Sequence, residues 1–303
     1  MKIIFMGTPE FAVPSLEKLH ASKHDVLAVV TVPDKPKGRG QSMAISDVKR
    51  KALELGVPVL QPAKLRDPDF IKTLKQYDAD IFIVVAFRIL PQLVYELPKF
   101  GAVNAHASLL PKYRGAAPIH WAVYHGEVET GVSVFQIDKK VDTGQIILQS
   151  KTAIGTEETT GELYERLMYI AADSLLEAIN QLANHTVKYI PQNDALATPA
   201  PKVHPDTGKL DFNKKGKALC KAVRAFNPWP GAYTLINDQR IKIYKADFEL
   251  QADTEPGKIE ILSKKQFAIH CADGYFLPKE LQAPGKRKMG VVDWLNGNPF
   301  GER

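Results

Sequence analysis

The chain has 303 residues, 45% of them apolar and 24% charged, a globular composition that is long enough for two domains. No apolar run approaches the roughly 20 residues of a membrane-spanning helix, and the start does not read as a signal peptide. The two cysteines are too few for a disulfide framework or a cysteine zinc site. We therefore expect a soluble, cytoplasmic, two-domain protein.

The charge is distributed unevenly along the chain. The net charge is +6, and residues 1–204 carry 23 Lys and Arg against 22 Asp and Glu, whereas residues 205–303 carry 17 against 12. A basic small domain beside a nearly neutral large one indicates a polyanionic partner, nucleic acid first. On charge alone, a well-solvated surface explains the excess equally well.

Strand and helix signals alternate along the first two thirds of the chain. Such alternation is typical of βαβ units, so we expect a Rossmann-like domain over residues 1–189, with a mostly parallel sheet and helices on both faces. A capping box formed by Thr159 and Glu162 predicts the start of a long amphipathic helix. Strands are predicted at 2–5, 26–32, 57–60, 80–86 and 102–106, and helices at 11–19, 45–55 and from Asp67-Pro68 onward.

The composition changes near residue 190. Residues 190–205 are rich in proline and lack a periodic pattern, which we interpret as a linker. Beyond it, one helix over 214–226 precedes short strands separated by turn signals, so residues 206–303 are predicted to form a small OB-like β-barrel. These strands are predicted at 233–236, 240–245, 258–262, 266–271 and 275–277.

The glycine at the end of the first predicted strand, Gly7, stands where a dinucleotide-binding loop would lie. The fingerprint of that loop needs three glycines at fixed spacing, and residues 7–12 supply one. We therefore interpret Gly7 as a tight turn and disfavour a nicotinamide-dependent dehydrogenase.

The strongest local motif is Asn104-Ala105-His106, at the carboxyl end of a predicted parallel strand. Open α/β sheets bind their ligands at this edge, and residues i and i+2 of a strand project to one face. An amide can donate to a developing oxyanion, and an imidazole can transfer protons near neutral pH. A hydrogen-bonded strand end is the competing interpretation of the pair alone.

Two loops carry further candidates. Asp142, within residues 138–144, is either a carboxylate that orients an imidazole or part of an ordinary hairpin turn, and the acids there are too few for calcium. The Pro/Gly-rich loop 33–42 contains cations suited to phosphate contact, although solvated loops have the same composition. These cations are Lys35, Lys37 and Arg39.

The motif and its surroundings resemble the signature of the folate-dependent formyltransferases. The resemblance rests on Asn104–Pro111, Tyr113-Arg114-Gly115, Thr130-Gly131-Val132 and Asp142-Thr143-Gly144. Further segments resemble the branch that acts on methionyl-tRNA. They are residues 5–14, the basic insert 35–49, Arg224–Ala232 and Leu281–Met289, so the resemblance spans nearly the whole chain.

The resemblance implies transfer of a formyl group from 10-formyltetrahydrofolate, the co-substrate, to the α-amino group of methionyl initiator tRNA. It implies that Asn104 stabilises the oxyanion, that His106 transfers protons, that Asp142 orients His106 or moves protons through water, and that no metal is needed. The tRNA would contact the basic insert and the C-terminal domain, through Lys35, Lys37, Arg39, Lys286, Arg287 and Lys288. A monomer is expected.

The resemblance also implies a pteridine pocket, and here the chain departs from the family pattern. Many relatives have a Tyr-Gly pair where this chain has Phe87-Arg88, which leaves the direction of the Arg88 side chain open. Because part of this pocket is expected to be backbone, its fold should survive. The residues implied as folate-binding are Phe87, Ile89, Leu90, Ser108, Leu109, Leu110 and Pro111.

Three other functions remain as alternatives. A sugar-nucleotide formyltransferase would share the catalytic segment without needing the basic domain, and a formyltetrahydrofolate hydrolase would need no polyanion site. A non-enzymatic RNA-binding protein would leave Asn104, His106 and Asp142 without a role. The sequence does not specify how initiator tRNA is distinguished from elongator tRNA, the order of substrate binding, or whether the basic loop is ordered without tRNA.

Overall fold

A computed structural model describes residues 1–37, 42–297 and 300. The chain divides into two compact units. The first comprises Met1–Pro118, Glu129–Ala153 and Tyr164–Ala200, and the second comprises Ile119–Val128, Ile154–Leu163 and the chain from Pro201 onward. Two short pieces of the first two thirds of the chain therefore cluster with the C-terminal part.

The secondary structure up to residue 200 alternates as the sequence predicts. The strands are β1 (Lys2–Gly7), β2 (Asp25–Val30), β3 (Lys35–Lys37), β4 (Ser42–Ala44), β5 (Val59–Leu60), β6 (Ile81–Val85), β7 (Ala102–His106), β8 (Arg114–Gly115), β9 (Glu129–Gln136), β10 (Ile146–Ala153) and β11 (Pro199–Ala200). The helices are α1 (Val13–His20), α2 (Asp47–Glu54), α3 (Pro68–Gln76), α4 (Gln92–Tyr95), α5 (Pro118–His125) and α6 (Thr160–Ala183).

A seven-stranded sheet in the order β10-β9-β7-β6-β1-β2-β5 forms the first unit. Strands β5, β2, β1, β6 and β7 run parallel, and β9 and β10 complete one edge in antiparallel pairing. The central parallel strands β1 and β6 are apolar runs buried along most of their length, as expected for a sheet covered on both faces. The Rossmann-like prediction is confirmed.

The sheet order places the Asn104-Ala105-His106 motif, at the end of β7, beside the point where the direction of winding reverses. The chain proceeds from β1 to β2 and β5 on one side, then crosses to β6 and β7 on the other. Ligands of open α/β sheets bind outside the carboxyl ends of the strands at such a point. The segments that follow β6 and β7 therefore border the expected ligand site.

Local capping signals in the sequence are present in the structure. Asp67 caps α3 by accepting from the backbone N–H groups of Asp69 and Phe70, with Pro68 in the first turn. At α6, the Thr159 N–H donates to Glu162 at 2.8 Å and the Glu162 N–H donates to the Thr159 hydroxyl at 3.3 Å. This reciprocal pair is the predicted capping box.

The second unit is built on an antiparallel sheet. Its strands are β12 (Ala232–Ile236), β13 (Gln239–Leu250), β14 (Ile259–Ser263), β15 (Gln266–Cys271), β16 (Gly274–Gln282) and β17 (Met289–Gly290), and its later helices are α7 (Gly216–Ala225) and α8 (Val291–Asn296). The strand order is β12-β13-β16-β15-β14, with β17 on β16. The core contains fully buried Phe267 and Phe276. This matches the expected small β domain.

Two segments have more structure than their composition predicts. Residues 33–42, expected as a loop, contain β3 and the first residue of β4, and these two strands pair antiparallel. Residues 190–205, interpreted as a linker, contain β11, which pairs with β8. Both segments gain this order from pairing and side-chain contacts that a local pattern does not encode.

Within the described residues, no helix is long and apolar enough to cross a membrane.

Candidate active site

The imidazole of His106 ends β7 and is fixed by the loop that follows it. The side chain is 8% exposed, and its Nε2–H donates to the Tyr113 carbonyl oxygen at 2.8 Å. A carbonyl only accepts, so this bond assigns the proton of the neutral ring to Nε2. Nδ1 is then the basic nitrogen, and its lone pair is available for a proton.

The carboxylate of Asp142 faces that basic nitrogen. Asp142 Oδ2 lies 3.8 Å from His106 Nδ1, and the Asp142 side chain is 9% exposed. This distance is too long for a hydrogen bond but lies within the 4 Å limit of an ion pair, so the carboxylate is positioned to stabilise an imidazolium without holding the neutral ring. The hydrogen bond to the Tyr113 carbonyl fixes the His106 ring, and the orienting role predicted for Asp142 stays a prediction.

Backbone geometry fixes the position of Asp142. The Gly115 N–H donates to Asp142 Oδ2 at 2.8 Å. Gly115 has a φ of 123°, and a Cβ there would lie 2.7 Å from the Ala200 carbonyl oxygen. Asp142 has a φ of 57°, and two residues later a Cβ at Gly144 would overlap the Gln136 carbonyl oxygen. Glycine is therefore required at positions 115 and 144.

Residues 192–200, in the last segment of the first unit, form hydrogen bonds with residues 113–115 and 142–144. We call these contacts the brace. Gln192 donates from Nε2 to the carbonyl oxygens of Asp142 and Gly144, at 2.9 and 2.8 Å. Its Oε1 accepts from the Arg114 guanidinium, which also pairs with Asp194 at 2.7 Å. The Tyr113 N–H donates to the Thr198 hydroxyl at 2.9 Å. These contacts fix the backbone that presents both His106 and Asp142.

Sequence reasoning missed this brace. Gln192 and Thr198 belong to no periodic pattern, and both lie more than 75 residues from their partners in the 113–114 loop. The only local signal is polar residues among prolines in a segment of low periodicity, which equally describes an unstructured connection.

Asn104 lies two residues before His106 on β7 and projects to the same face of the sheet. It is partly exposed, while Val103 on the other face is buried. Its backbone is held on both sides, in register with Val84 of β6 and Phe135 of β9. The structure thus places Asn104, His106 and Asp142 in one region of the first unit.

The loop after β7 is closed by hydrogen bonds of its own. The hydroxyl of Ser108 donates to the Lys112 carbonyl oxygen at 2.6 Å, and the Ser133 hydroxyl donates to the Ser108 carbonyl oxygen at 2.6 Å. Gln149 donates to the Leu110 carbonyl oxygen at 2.9 Å. Ser108 and Leu110 are buried, whereas Leu109 and Pro111 are partly exposed. The buried pair supports the loop, and the other two line its surface.

The segment after β6 lies beside this loop, since β6 and β7 are neighbours. Leu90 is buried and Phe87 partly buried, whereas Ile89 is 77% exposed. In the part of the chain that the structure describes, the backbone amides of residues 87–90 have no backbone partner. The segment therefore offers free polar backbone groups next to an exposed apolar side chain.

The Arg88 side chain points towards the segment after β5. Its guanidinium donates to the carbonyl oxygens of Pro62 and Ala63, at 3.0 and 3.1 Å, and lies over the Phe87 ring. Burial lowers the pKa of this guanidinium. Arg88 thus ties the segment after β6 to the segment after β5.

A compact polar network holds the base of the β3–β4 hairpin. Lys49 of α2 forms an ion pair with Asp34 and donates to Gln61 at 2.7 Å, and Gln61 donates to Asp34 at 2.8 Å and to the Val32 carbonyl oxygen at 2.8 Å. The Lys49 and Gln61 hydrogen bonds hold the pKa of the Asp34 carboxyl below its usual value. Sequence reasoning missed this network too.

The cations predicted to contact tRNA differ in their surroundings. Lys35 is exposed at the start of β3, Lys37 ends that strand, and Arg39 lies outside the described residues. Lys286 and Arg287 are exposed. Lys288 pairs with Glu280 at 2.9 Å and lies over the Tyr244 ring.

The described ranges contain no cluster of side chains suited to hold a metal ion. No group of three or more His, Cys, Asp or Glu residues there is arranged to hold a metal ion. Burial raises the pKa of Cys220 to about 11, so this thiol is not a reactive nucleophile near neutral pH.

Comparison with known proteins identifies the family. A family model described as formyl transferase matches residues 1–179, and one described as formyl transferase, C-terminal domain, matches residues 202–299. A methionyl-tRNA formyltransferase of Ruminiclostridium cellulolyticum is 42% identical over 302 residues, covering 98% of this chain and 97% of the relative. One from Alkaliphilus oremlandii is 43% identical over 300 residues, with 98% and 97% covered.

A solved structure shows the same fold at lower identity. The N-formyltransferase of Helicobacter canadensis, in complex with folinic acid and dTDP-3-aminofucose, superposes with a TM-score of 0.68 at 22% identity, covering 93% of this chain and 99% of that one. The family models and the close relatives agree over nearly the whole chain. The chain therefore belongs to the formyltransferase family and, within it, to the methionyl-tRNA formyltransferases.

Proposed function

We propose that this chain transfers the formyl group of 10-formyltetrahydrofolate to the α-amino group of methionyl initiator tRNA, giving formylmethionyl-tRNA for translation initiation. The observation that carries the proposal is the buried His106, whose Nε2 is bound to the Tyr113 carbonyl while its Nδ1 faces Asp142. An acyl transfer to an amine needs such a base beside an amide donor. The full-length similarity to methionyl-tRNA formyltransferases supports the choice of acceptor.

In the proposed reaction the neutral amine attacks the formyl carbon and forms a C–N bond. The carbonyl oxygen becomes an oxyanion, to which Asn104 donates from its side-chain amide. His106 accepts the amine proton at Nδ1, and Asp142 stabilises the resulting imidazolium. The bond between the formyl carbon and N10 of the folate then breaks, and the proton returns to N10. Atoms and charge balance without a redox step.

The residues proposed for the folate are those that border the switch point. A pteridine is flat, heteroaromatic and rich in donors and acceptors, so the free backbone groups of residues 87–90 beside exposed Ile89 suit it. Phe87, Leu90 and the loop residues Ser108, Leu109, Leu110 and Pro111 complete the proposed pocket. The mechanism needs no metal, because the formyl group is already activated by its amine leaving group.

The C-terminal domain, residues 206–303 after the linker 190–205, is proposed to bind the tRNA, with the catalytic domain over residues 1–189. Lys35, Lys37 and Arg39 would guide the acceptor end, and Lys286, Arg287 and Lys288 would contact phosphates. We further propose that the protein works as a monomer in the cytoplasm. Arg39→Ala should reduce use of tRNA far more than binding of folate.

A formyl-transfer assay tests the proposal. Purified protein and labelled 10-formyltetrahydrofolate are given methionyl initiator tRNA in one tube and a 4-amino sugar nucleotide in another. Label on the tRNA alone supports the proposal. Label on the sugar alone would leave the catalytic residues in place and overturn the acceptor, whereas label lost to water in both tubes would indicate a hydrolase.

A further inference from the structure

Helix α7 of the second unit and the two residues before it carry an unusual concentration of positive charge. Five cations and no acid occur between residues 214 and 224. Removing these five would leave residues 205–303 with twelve cations against twelve acids, so this segment accounts for the whole excess of the last third. Three of them, Lys217, Lys221 and Arg224, lie within α7 at a spacing of four and three residues. That spacing places them along one side of a helix, and we call them the basic stripe.

The opposite side of α7 fixes the direction of the stripe. Leu219, Ala222 and Val223 are buried, and a Cβ at Gly216 would overlap the Phe248 ring of β13. The Gly216 N–H also donates to Asp273 at 2.7 Å, which anchors the first turn. Because the helix is packed this closely on its sheet, the stripe is presented on a rigid support.

The stripe has no carboxylate partner within the described residues. None of its three cations lies within ion-pair distance of an acid there, although the unit forms other ion pairs. Asp247, a nearby acid, is paired with Lys279 at 3.3 Å. Like charges at i, i+4 destabilise a helix when nothing neutralises them. A row of cations without acidic partners is explained if a bound partner molecule supplies the negative charge.

Lys214, just before α7, and Lys221 of the stripe both contact the end of α5 in the same unit. Lys214 Nζ donates to the Tyr124 hydroxyl at 2.9 Å and lies 5.6 Å from the centre of that ring. The Lys221 side chain packs across the backbone of Gly126. Trp121, Tyr124 and His125 are partly or fully exposed beside these contacts. Cations next to exposed aromatic rings are typical of surfaces that bind RNA.

We infer that the basic stripe of α7 is a contact surface for the sugar-phosphate backbone of RNA, and that it binds the body of the tRNA substrate. This inference rests on the proposed function for the identity of the RNA. The rise of about 1.5 Å per residue separates successive cations of the stripe by roughly 4.5 to 6 Å along the helix, which suits neighbouring phosphates of one strand. The stripe reads no base, so its contribution is to affinity and not to the choice of tRNA.

The test compares two triple variants with the same change of charge. One replaces Lys217, Lys221 and Arg224 by Gln, and the matched control replaces Lys209, Lys264 and Lys265, which are exposed cations of the same unit outside residues 214–224. Kd is measured for methionyl and for deacylated tRNA from about 50 to 200 mM salt. Folinic acid binding and thermal unfolding report whether each variant is otherwise intact.

At about 0.1 M salt, we expect the stripe variant to bind both forms of tRNA about 10²-fold more weakly, with the slope of log Kd against log salt reduced by about 2 to 3. The control should lose several-fold at most, and folinic acid binding should not change. Equal losses in the two variants, or a loss for the acylated tRNA alone, would overturn the inference. If the wild type binds tRNA through the stripe but transfers no formyl group, the proposed function fails and the inference stands.

Discussion

Charged and polar side chains are arranged differently around His106 and on α7. Around His106 the groups are buried and individually fixed: Gly115 holds Asp142, and Gln192 holds the backbone of the 142–144 turn. The cations of the basic stripe lie on a helix surface and have no acidic partner among the described residues. A reacting centre needs fixed geometry, because misplacement by about 1 Å can cost 10²-fold in rate. A surface for a polyanion needs charge that is not already neutralised.

The largest effect is expected at Asn104, in the fixed region around His106. Asn104→Ala removes the amide proposed to donate to the oxyanion, and kcat for formyl transfer should fall about 10² to 10³-fold. Steady-state kinetics with methionyl-tRNA measure this change, and thermal unfolding should be close to wild type because Asn104 is partly exposed. A variant that keeps full turnover would remove Asn104 from the mechanism.

The next largest effect is expected at Gln192, which holds the backbone of Asp142 and Gly144 by hydrogen bonds. Gln192→Ala leaves the carbonyl oxygens of Asp142 and Gly144 and the Arg114 guanidinium without their partner. Because misplacement of a catalytic group by about 1 Å can cost about 10²-fold in rate, kcat should fall roughly 10-fold or more while the Kd for tRNA stays constant. Gln181→Ala, on the exposed side of α6, is the control. A change confined to tRNA binding would show that residue 192 acts elsewhere.

A third prediction concerns the hairpin base, where a fixed network supports cations predicted to contact tRNA. Because the folded-state pKa of Asp34 is lowered, its ionised form contributes stability above the unfolded pKa of about 4, and that stability is lost as pH falls through the folded pKa. Asp34→Asn should therefore show a shallower decrease of stability with falling pH in this acidic range. Chemical unfolding at pH 7 and near pH 3 measures the difference.

The control and the functional arm of that experiment use the same variants. Asp69→Asn, which removes an exposed carboxyl in the first turn of α3 with the same change of charge, is the matched control. Asp34→Asn should also raise the KM for tRNA several-fold without changing folinic acid binding, because the hairpin loses its anchor. Identical pH profiles for Asp34→Asn and wild type would show that the network does not stabilise the fold.

The smallest expected effect compares paired and unpaired cations within the second unit. Lys288 must give up Glu280 to bind a phosphate, whereas Lys217 has no such partner within the described ranges. Lys288→Gln should therefore weaken tRNA binding only about 2-fold, against roughly 8-fold for Lys217→Gln at about 0.1 M salt. Filter binding at matched ionic strength resolves the two. An equal loss would mean that the Glu280 pair does not compete with RNA.

The sequence alone determined much of this protein. Apolar runs and capping residues specified the parallel strands and the starts of α3 and α6, because these depend on neighbours in the chain. The Asn104-Ala105-His106 motif and the surrounding segments indicated the family, which the family models and close relatives confirm. The concentration of charge in the last third is likewise a property of composition.

Only the tertiary structure decided how the site is held. The proton on His106 Nε2, the 3.8 Å gap to Asp142 and the brace by Gln192 and Thr198 depend on contacts between residues far apart in the chain. The same is true of the direction of Arg88 and of the absence of acidic partners along the described part of the basic stripe. A local pattern reports which groups are present, but their distances and hydrogen-bond partners are set when distant segments pack together.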